Sequence, residues 1–299
     1  MVFHSFFVIG SLLNISSVSK WFEDKVALNE VSLNLKKNSI HGLIGHNGAG
    51  KTTLLRIITQ IIKPDAGQIE FDGETINAKH KYQIGYMPEE RGVYTRMSII
   101  DYLTFIAKIH RMHSSEYKPV LQEWLDRMGL LEVQKKELKQ LSKGMQQKVQ
   151  FIATVFFEPS LLILDEPFSG FDPSNVELVK REILRLNNLG TTILFSTHQM
   201  EAVEDLCEEV TMIHESKVLK NGSIQELKTE FDTGSYLLDY QGEFSLESIQ
   251  YAKKDNRYLI QLADAQKGDF LKSLNAEKIV SFSKYQPTLR EIFLQLVNE

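Results

Sequence analysis

Short runs of apolar residues that alternate with polar ones open the chain and predict β-strands. The clearest run, Val31–Leu35, places its apolar residues on one face, which is the pattern of a strand with one buried side. We predict three further strands in this part of the chain, at Leu13–Ser17, Val26–Leu28 and Ser39–Ile44. The folded domain is therefore expected to begin near residue 14, after an N-terminal extension over residues 1–13.

Two later runs, Leu161–Leu164 and Thr191–Phe195, are apolar without alternation. Such runs are typical of strands that a parallel sheet buries on both faces. Helical periodicity dominates residues 97–150, and Val176–Leu189 predicts an amphipathic helix that ends at Gly190. Strands and helices together predict an α/β fold for residues 14–222.

The pattern changes after residue 222. Ser235–Tyr240 and Tyr258–Leu262 predict strands, whereas Ala265–Ser273 and Thr288–Val297 predict helices. We therefore expect a small α/β accessory domain over residues 223–299.

Composition narrows the class of protein. The 299 residues suffice for about two domains, and the net charge of −5 gives no basic surface for nucleic acid. Cys207 is the only cysteine, so no intrachain disulfide can form, which suits a reducing cytosol. The longest apolar stretch, residues 2–13, is too short and too interrupted to span a bilayer, and it lacks the basic start of a signal peptide.

A glycine-rich segment between a predicted strand and a predicted helix carries the strongest chemical signal. It fits the pattern G-x-x-x-x-G-K-[ST] of phosphate-binding loops. Its glycines allow a tight turn whose N–H groups converge on an anion, while Lys51 can reach the β- and γ-phosphates and the Thr52 hydroxyl can bind Mg²⁺. The residues expected to bind a nucleotide here are Gly45, His46, Asn47, Gly48, Ala49, Gly50, Lys51, Thr52 and Thr53.

Two adjacent carboxylates, Asp165 and Glu166, follow the apolar run Leu161–Leu164. Neighbouring residues of a strand point in opposite directions, so the two can serve different purposes. Asp165 can hold Mg²⁺, and Glu166 can face an attacking water as general base.

With these segments the chain resembles the ATP-binding subunits of ABC transporters, and further segments follow in the order of that family. The segment Leu141-Ser142-Lys143-Gly144-Met145-Gln146 is similar to the signature loop, so the resemblance assigns Ser142 and Gly144 to the γ-phosphate held by an opposite subunit. Lys143 and Met145 depart from the usual glycine and glutamine. Residues 169–173 resemble the D-loop, which crosses the dimer interface, and the resemblance places Asp172 among the nucleotide-binding residues.

The resemblance also assigns residues around the base and the γ-phosphate. His198, after the strand Thr191–Phe195, matches the switch histidine that orients the water. Phe22 matches the aromatic residue that stacks on adenine, with Trp21 as the competing candidate because one residue of register decides which ring faces the base.

The segment Ile84-Gly85-Tyr86-Met87-Pro88-Glu89 resembles the Q-loop, with Glu89 in place of the usual glutamine. A carboxylate there is expected to bind Mg²⁺ more strongly and to join Glu166 and His198 in the catalytic set. The run from Pro88 to Tyr94 resembles the sodium-extrusion (NatA-type) branch of the family, as does, less specifically, the terminal segment 288–293.

The resemblance implies a P-loop NTPase fold: a RecA-like core, a β-subdomain and a helical subdomain near residues 95–155. It implies ATP and Mg²⁺ as ligands, and an ATPase that drives transport, most simply export, through a separate membrane permease by ATP-dependent dimer closure. The partner subunit would be a second copy of the chain, and the protein would be cytoplasmic, on the inner face of the membrane. The alternatives are a non-transport ABC ATPase with a regulatory or translation-related role, and a regulator that has lost hydrolysis.

Overall fold

The computed structural model describes residues 10–90, 96–242, 251–254 and 257–298. The chain separates into two compact units, residues 1–222 and residues 223–299. Most of the predicted N-terminal extension, and residues 91–94 of the predicted NatA-type run, lie outside the described residues.

The elements of the first unit alternate between strands and helices. Its strands are β1 (Ser11–Phe22), β2 (Lys25–Lys36), β3 (Ile40–Ile44), β4 (Ala66–Phe71), β5 (Glu74–Thr75), β6 (Ile84–Met87), β7 (Leu161–Asp165), β8 (Thr192–Thr197), β9 (Glu209–His214) and β10 (Lys217–Ser223). Its helices are α1 (Lys51–Ile58), α2 (Ile99–Ile109), α3 (Ser114–Arg127), α4 (Lys143–Val155), α5 (Pro173–Asn188) and α6 (Met200–Leu206).

A six-stranded sheet in the order β10-β9-β3-β8-β7-β6 forms the centre of this unit. β3 runs parallel to β8 and β9, and β7 runs parallel to β6 and β8. Every residue of β3, β7 and β8 is buried, as expected for central parallel strands. Because these strands are parallel, their carboxyl ends meet at one edge of the sheet, where the predicted chemical residues follow them.

A second sheet, antiparallel and in the order β2-β1-β4-β5, lies in the same unit. β1 and β2 are longer than the sequence predicts. Irregularities in their pairing register, including one between Ile15 and Val18, allow the polar residues at that point to remain part of β1. β1 begins at Ser11, so residues 11–13, predicted as the end of the extension, belong to this strand, where Ser11 pairs with β2 and Leu13 pairs with both β2 and β4.

Helix α1 joins the two sheets into one core. Its residues Leu54, Leu55, Ile57 and Ile58 are buried in a cluster that contains residues of both sheets. This packing fixes the N-terminus of α1 beside the carboxyl ends of β3 and β7, which positions the site.

Helices α2, α3 and α4 pack on one another in the region that the sequence predicts as a helical subdomain. The N-termini of two of them are capped by serine hydroxyls: Ser98 accepts from Asp101 N at 3.2 Å, and Ser142 accepts from Met145 N at 3.2 Å. The predicted helix from Val176 begins earlier, at Pro173, because Asp172 caps it.

The second unit contains a four-stranded antiparallel sheet in the order β12-β13-β11-β14. Its elements are α7 (Ile224–Glu230), β11 (Ser235–Tyr240), β12 (Tyr251–Lys254), β13 (Arg257–Gln261), α8 (Lys267–Ser273), β14 (Ile279–Lys284) and α9 (Leu289–Asn298). Tyr236, Leu238, Ile260 and Phe270 form its core. The sequence pattern predicts β11, β13, α8 and α9 but not the edge strands β12 and β14.

Candidate functional site

The glycine-rich loop connects β3 to α1 through a turn that only glycine accommodates. A Cβ at Gly45 would lie 2.2 Å from the Ile213 carbonyl oxygen, and a Cβ at Gly50 would lie 2.5 Å from that of Ala27. Gly50 also has φ of 113°, in the left-handed region that favours glycine. The loop therefore ends directly at the N-terminus of α1, where unpaired N–H groups favour an anion.

Lys51, the first residue of α1, is buried beneath this loop. Its Nζ donates to the Gly45 carbonyl oxygen at 2.7 Å and to that of His46 at 3.3 Å. Burial lowers the pKa of Lys51, and the nearby carboxylates Glu166, Asp165 and Glu89 oppose that shift. The ammonium is thus held inside the loop among negative charges.

Asp165 and Thr52 form the second part of the site, at the end of β7. Asp165 is 1% exposed, and its Oδ2 accepts a hydrogen bond from Thr52 Oγ1 at 3.0 Å. Burial raises the pKa of Asp165, and Glu89 and Glu166 add to the shift. A hydroxyl and carboxylate oxygens in an electronegative site fit Mg²⁺, which prefers such hard ligands.

Glu166 is buried and lies opposite the end of β8. Its Oε2 accepts from Thr197 Oγ1 at 2.9 Å, while its Oε1 accepts from the His198 backbone N–H at 2.8 Å and contacts His198 Nδ1 at 2.7 Å. The backbone of Glu166 has φ of 50°, and its N–H donates to the Ser196 carbonyl at 2.8 Å. The predicted base and the predicted switch histidine are therefore in direct contact.

A cavity of about 280 Å³ is lined by Lys51, Asp165 and Glu166, whereas His198 does not line it and touches it only through Glu166. It is lined by ten residues that the sequence predicts for the site: Phe22, Asn47, Gly48, Gly50, Lys51, Thr52, Thr53, Glu89, Asp165 and Glu166. Lys25 and Ala27 also line it, and sequence reasoning missed both. The predicted hairpin could have indicated them, because β1 and β2 pair Phe22 with Lys25 and so bring the start of β2 to the same place as Phe22.

The two aromatic candidates for the base differ in position. Phe22 lines the cavity and Trp21 is not among its lining residues, although both rings are about equally exposed. Lys20 Nζ lies 5.4 Å from the centre of the Phe22 ring. The register of β1 therefore places Phe22, the preferred candidate, on the cavity side.

Other predicted residues lie elsewhere. Ser142 and Asp172 do not line this cavity: Ser142 caps α4, and Asp172 caps α5 by accepting from Asn175 N at 3.0 Å. Hydrogen bonds, chiefly from Ser174, lower the pKa of Asp172 to about 2. Gly144 lies beside the predicted D-loop, since a Cβ there would lie 3.7 Å from Phe171 Cδ1.

The remaining loop residues have structural neighbours. Ala49 is buried, and the ring of His46 lies edge-on to that of His214, with centroids 6.3 Å apart.

A larger groove of about 710 Å³ adjoins this cavity. It shares Thr52, Glu89 and Asp165 with the cavity, and Tyr86 and Glu90 also line it. Burial raises the pKa of Tyr86 to about 12. Thr52, Glu89 and Asp165 thus line both spaces.

Among the described residues, no helix is long and apolar enough to cross a bilayer.

Comparison with known proteins identifies the cassette and the C-terminal region. The family model "ABC transporter" matches residues 28–169, and the model "ATP-binding protein DrrA1-3-like, C-terminal domain" matches residues 222–297. The chain is 36% identical to the ABC transporter ATP-binding protein YhaQ of Bacillus subtilis, over 96% of this chain and 98% of YhaQ. It is 33% identical to the ABC transporter ATP-binding protein NatA of the same species, over 72% of this chain and 91% of NatA.

The fold agrees with these matches. A solved structure described as the ATP-binding subunit of an ABC transporter superposes with a TM-score of 0.70 at 27% identity, over 74% of this chain and 93% of that chain. The predicted α/β fold of a P-loop ABC cassette is therefore confirmed, and this chain belongs to the ABC transporter family as an ATP-binding protein.

Proposed function

We propose that this chain hydrolyses ATP with Mg²⁺ and thereby drives an exporter whose membrane permease is a separate polypeptide. The observation that carries this proposal is the position of Glu166, which lines a cavity together with Lys51 and Asp165 and is hydrogen-bonded to Thr197 and contacted by His198. A general base, a phosphate-binding cation and a metal-binding carboxylate are the parts that phosphoryl transfer to water requires.

In this proposal Lys51 and the glycine-rich loop bind the triphosphate. Lys51 Nζ exchanges the carbonyl oxygens of Gly45 and His46 for phosphate oxygens, which are stronger, charged acceptors. Phe22 stacks on the base at the other end of the cavity.

Thr52, Asp165 and Glu89 would hold Mg²⁺, which when bound neutralises charge on the phosphates. The cavity favours such a cation because three carboxylates, Glu89, Asp165 and Glu166, surround Lys51. Glu89 supplies a full negative charge where relatives with glutamine supply a neutral carbonyl.

The hydrogen bonds of Glu166 indicate which of its oxygens serves the water. An ionised carboxylate oxygen has about two acceptor positions. Oε1 already has two contacts to His198, whereas Oε2 has one, from Thr197. The attacking water therefore binds Oε2, and His198 fixes the orientation of the carboxylate.

We further propose that two copies of the chain pair head to tail and close on ATP. Ser142 is exposed at the start of α4, outside the cavity of its own subunit, where it can face the nucleotide of a second copy. In this arrangement Gly144 and Asp172 also lie near the subunit boundary. The assembly would reside in the cytoplasm, bound to the inner face of the membrane through the permease.

Residues 223–299 are proposed to be an accessory domain that does not build the ATP site. Every residue assigned to the site precedes residue 199, and the cavity is lined entirely from the first unit.

Phosphate release by the purified full-length protein with ATP and Mg²⁺ tests the central proposal. We expect turnover that EDTA stops and that Glu166→Gln nearly abolishes. A wild-type protein that binds ATP but releases no phosphate would refute the ATPase assignment.

A further inference from the structure

One face of α4 carries polar side chains that are largely buried, and two of them, Gln150 and Thr154, also line the groove. Gln147, Gln150 and Thr154 are 5%, 6% and 6% exposed and follow the i, i+3, i+7 spacing of a single helix face. A buried amide is unfavourable unless it is hydrogen-bonded, so each of these side chains requires a partner. Thr154 finds one within its own helix, since its Oγ1 donates to the Gln150 carbonyl at 2.8 Å.

The two glutamines instead reach out of the helix to the loops of the catalytic site. Gln147 Nε2 donates to the Pro167 carbonyl oxygen at 3.0 Å, and Gln150 Nε2 donates to the Pro88 carbonyl oxygen at 3.0 Å. Pro167 directly follows Glu166, and Pro88 directly precedes Glu89. Each amide therefore bonds the residue next to one of the carboxylates that face the cavity.

These carbonyls control the backbone from which the carboxylates project. The Pro88 carbonyl belongs to the same planar peptide group as the Glu89 nitrogen, so holding it fixes the plane at which Glu89 begins. The ring of Pro167 fixes its φ angle. Its ψ angle is therefore the one free rotation between the Pro167 carbonyl and the peptide group that joins Pro167 to Glu166. Glu166 itself has φ of 50°, a conformation that persists only when surrounding contacts support it.

The N-terminus of α4 is the signature loop. Ser142 caps the helix, and Gln146 Nε2 donates to the Leu138 carbonyl at 2.9 Å, which ties that loop to the first turn. Gln147 lies five residues beyond Ser142, about 7.5 Å along the axis. A displacement of the signature loop that moves α4 as a rigid body therefore moves both glutamine amides.

We propose that Gln147 and Gln150 are positioning residues that transmit the state of the signature loop to Glu166 and Glu89 of the same subunit. This inference rests on the proposed function, in which the signature loop contacts the nucleotide of a second copy. The two hydrogen bonds then couple occupation of one ATP site to the alignment of the carboxylates in the other.

The Gln147 link is incompletely satisfied in this conformation. Among the described residues, no donor reaches its buried Oε1. The Gln147 link lies beside the general base Glu166, and the Gln150 link lies beside Glu89 at the metal site.

Methionine substitutions test the two links separately, because methionine is unbranched and of similar length but cannot donate a hydrogen bond. We expect Gln147→Met to lower kcat at least tenfold while the KM for ATP stays within twofold. We expect Gln150→Met to keep kcat within twofold at saturating Mg²⁺ but to raise the half-saturating Mg²⁺ concentration at least threefold. Calorimetric titration of Mg²⁺ into protein with a non-hydrolysable ATP analogue should show the same loss without turnover.

Gln147→Glu distinguishes a hydrogen bond from simple packing. Only a protonated carboxyl can donate to the Pro167 carbonyl. The ratio of Gln147→Glu activity to wild-type activity should therefore rise as the pH is lowered, and the corresponding ratio for Gln147→Met should stay constant. Gln122→Met is the matched control, because Gln122 bonds Gln134 at 3.2 Å on the exposed surface of α3. It should behave as wild type.

Kinetic and Mg²⁺ curves of Gln147→Met and Gln150→Met that match wild type would overturn this inference alone, provided that Glu166→Gln still stops turnover. An equal loss of kcat in both variants with unchanged Mg²⁺ binding would also overturn it, because it would indicate a general packing defect. A wild-type protein without ATPase activity would instead overturn the proposed function, and this inference with it.

Discussion

The Nδ1 atom of His198 lies 2.7 Å from Oε1 of Glu166, and the His198 backbone N–H lies 2.8 Å from the same oxygen. The side chain and the main chain of one residue thus hold a single carboxylate oxygen. This double contact connects the end of β8 to the end of β7 and leaves Oε2 as the oxygen that faces fewer donors.

Glu166→Gln should abolish turnover but preserve ATP binding. An amide cannot take the proton of the attacking water, and loss of a general base lowers rates by about 10²–10⁴-fold. Phosphate release and calorimetric ATP binding measure the two effects. Glu177→Gln is the control, since Glu177 is an exposed carboxylate of α5 paired with Lys180. Turnover of Glu166→Gln within twofold of wild type would contradict the assignment.

Phe22→Ala should weaken ATP binding, whereas Trp21→Ala should leave it within twofold. The two rings are matched in exposure, at 46% and 44%, but only Phe22 lines the cavity. Stacking of a base on an aromatic ring contributes about 1–3 kcal/mol, so we expect a loss of about 5- to 150-fold. Titration with a fluorescent ATP analogue provides the measurement, and a greater loss for Trp21→Ala would reverse the choice.

ATP affinity should fall at alkaline pH, earlier than the ordinary lysine value of 10.5 would predict. Burial lowers the pKa of Lys51, so in the free protein the ammonium loses its proton as pH rises through that lowered value. Hydrogen bonds of charged groups contribute about 1.5–3 kcal/mol, which corresponds to a loss of about 10- to 150-fold. Calorimetry between pH 7 and pH 10 measures it. Lys51→Ala should bind weakly throughout and lack the alkaline step, and a step that persists in this variant would assign it to another group.

Glu89→Gln should raise the Mg²⁺ concentration that gives half-maximal ATPase activity, because a neutral carbonyl attracts the cation less than a carboxylate does. Glu90→Gln is the matched control: Glu90 is the next residue and lines the groove but not the cavity. Parallel Mg²⁺ titrations compare the two. Superimposable curves for Glu89→Gln and wild type would mean that Glu89 acts on the groove side alone.

The sequence predicts much of this site because its main parts are local. Glycine spacing before Lys51, and an apolar run before Asp165, specify a loop and a strand end without distant information. Parallel pairing then brings separate strand ends to one edge of the sheet.

Other parts depend on contacts that a single sequence does not encode visibly. Lys25 and Ala27 line the cavity because of the pairing register of the β1–β2 hairpin. The residue type alone does not distinguish the buried glutamines of α4 from exposed glutamines. Strands β12 and β14 lie at sheet edges with few buried residues, so alternation is weak there. Asp172 combines a predicted interface position with a helix cap, and only the hydrogen bonds show the cap.

The cavity and the groove share Thr52, Glu89 and Asp165 as a common wall. Binding free energies at two sites that alter the same groups are reciprocal: whatever factor one ligand imposes on the affinity of the other is returned in equal measure. A ligand that shifts Glu89 from the groove would therefore change the affinity for nucleotide and metal, and these would change the affinity for that ligand. Equilibrium binding measured in the groove thus reports on the nucleotide cavity and the reverse, so the coupling free energy between the two spaces can be determined from binding alone.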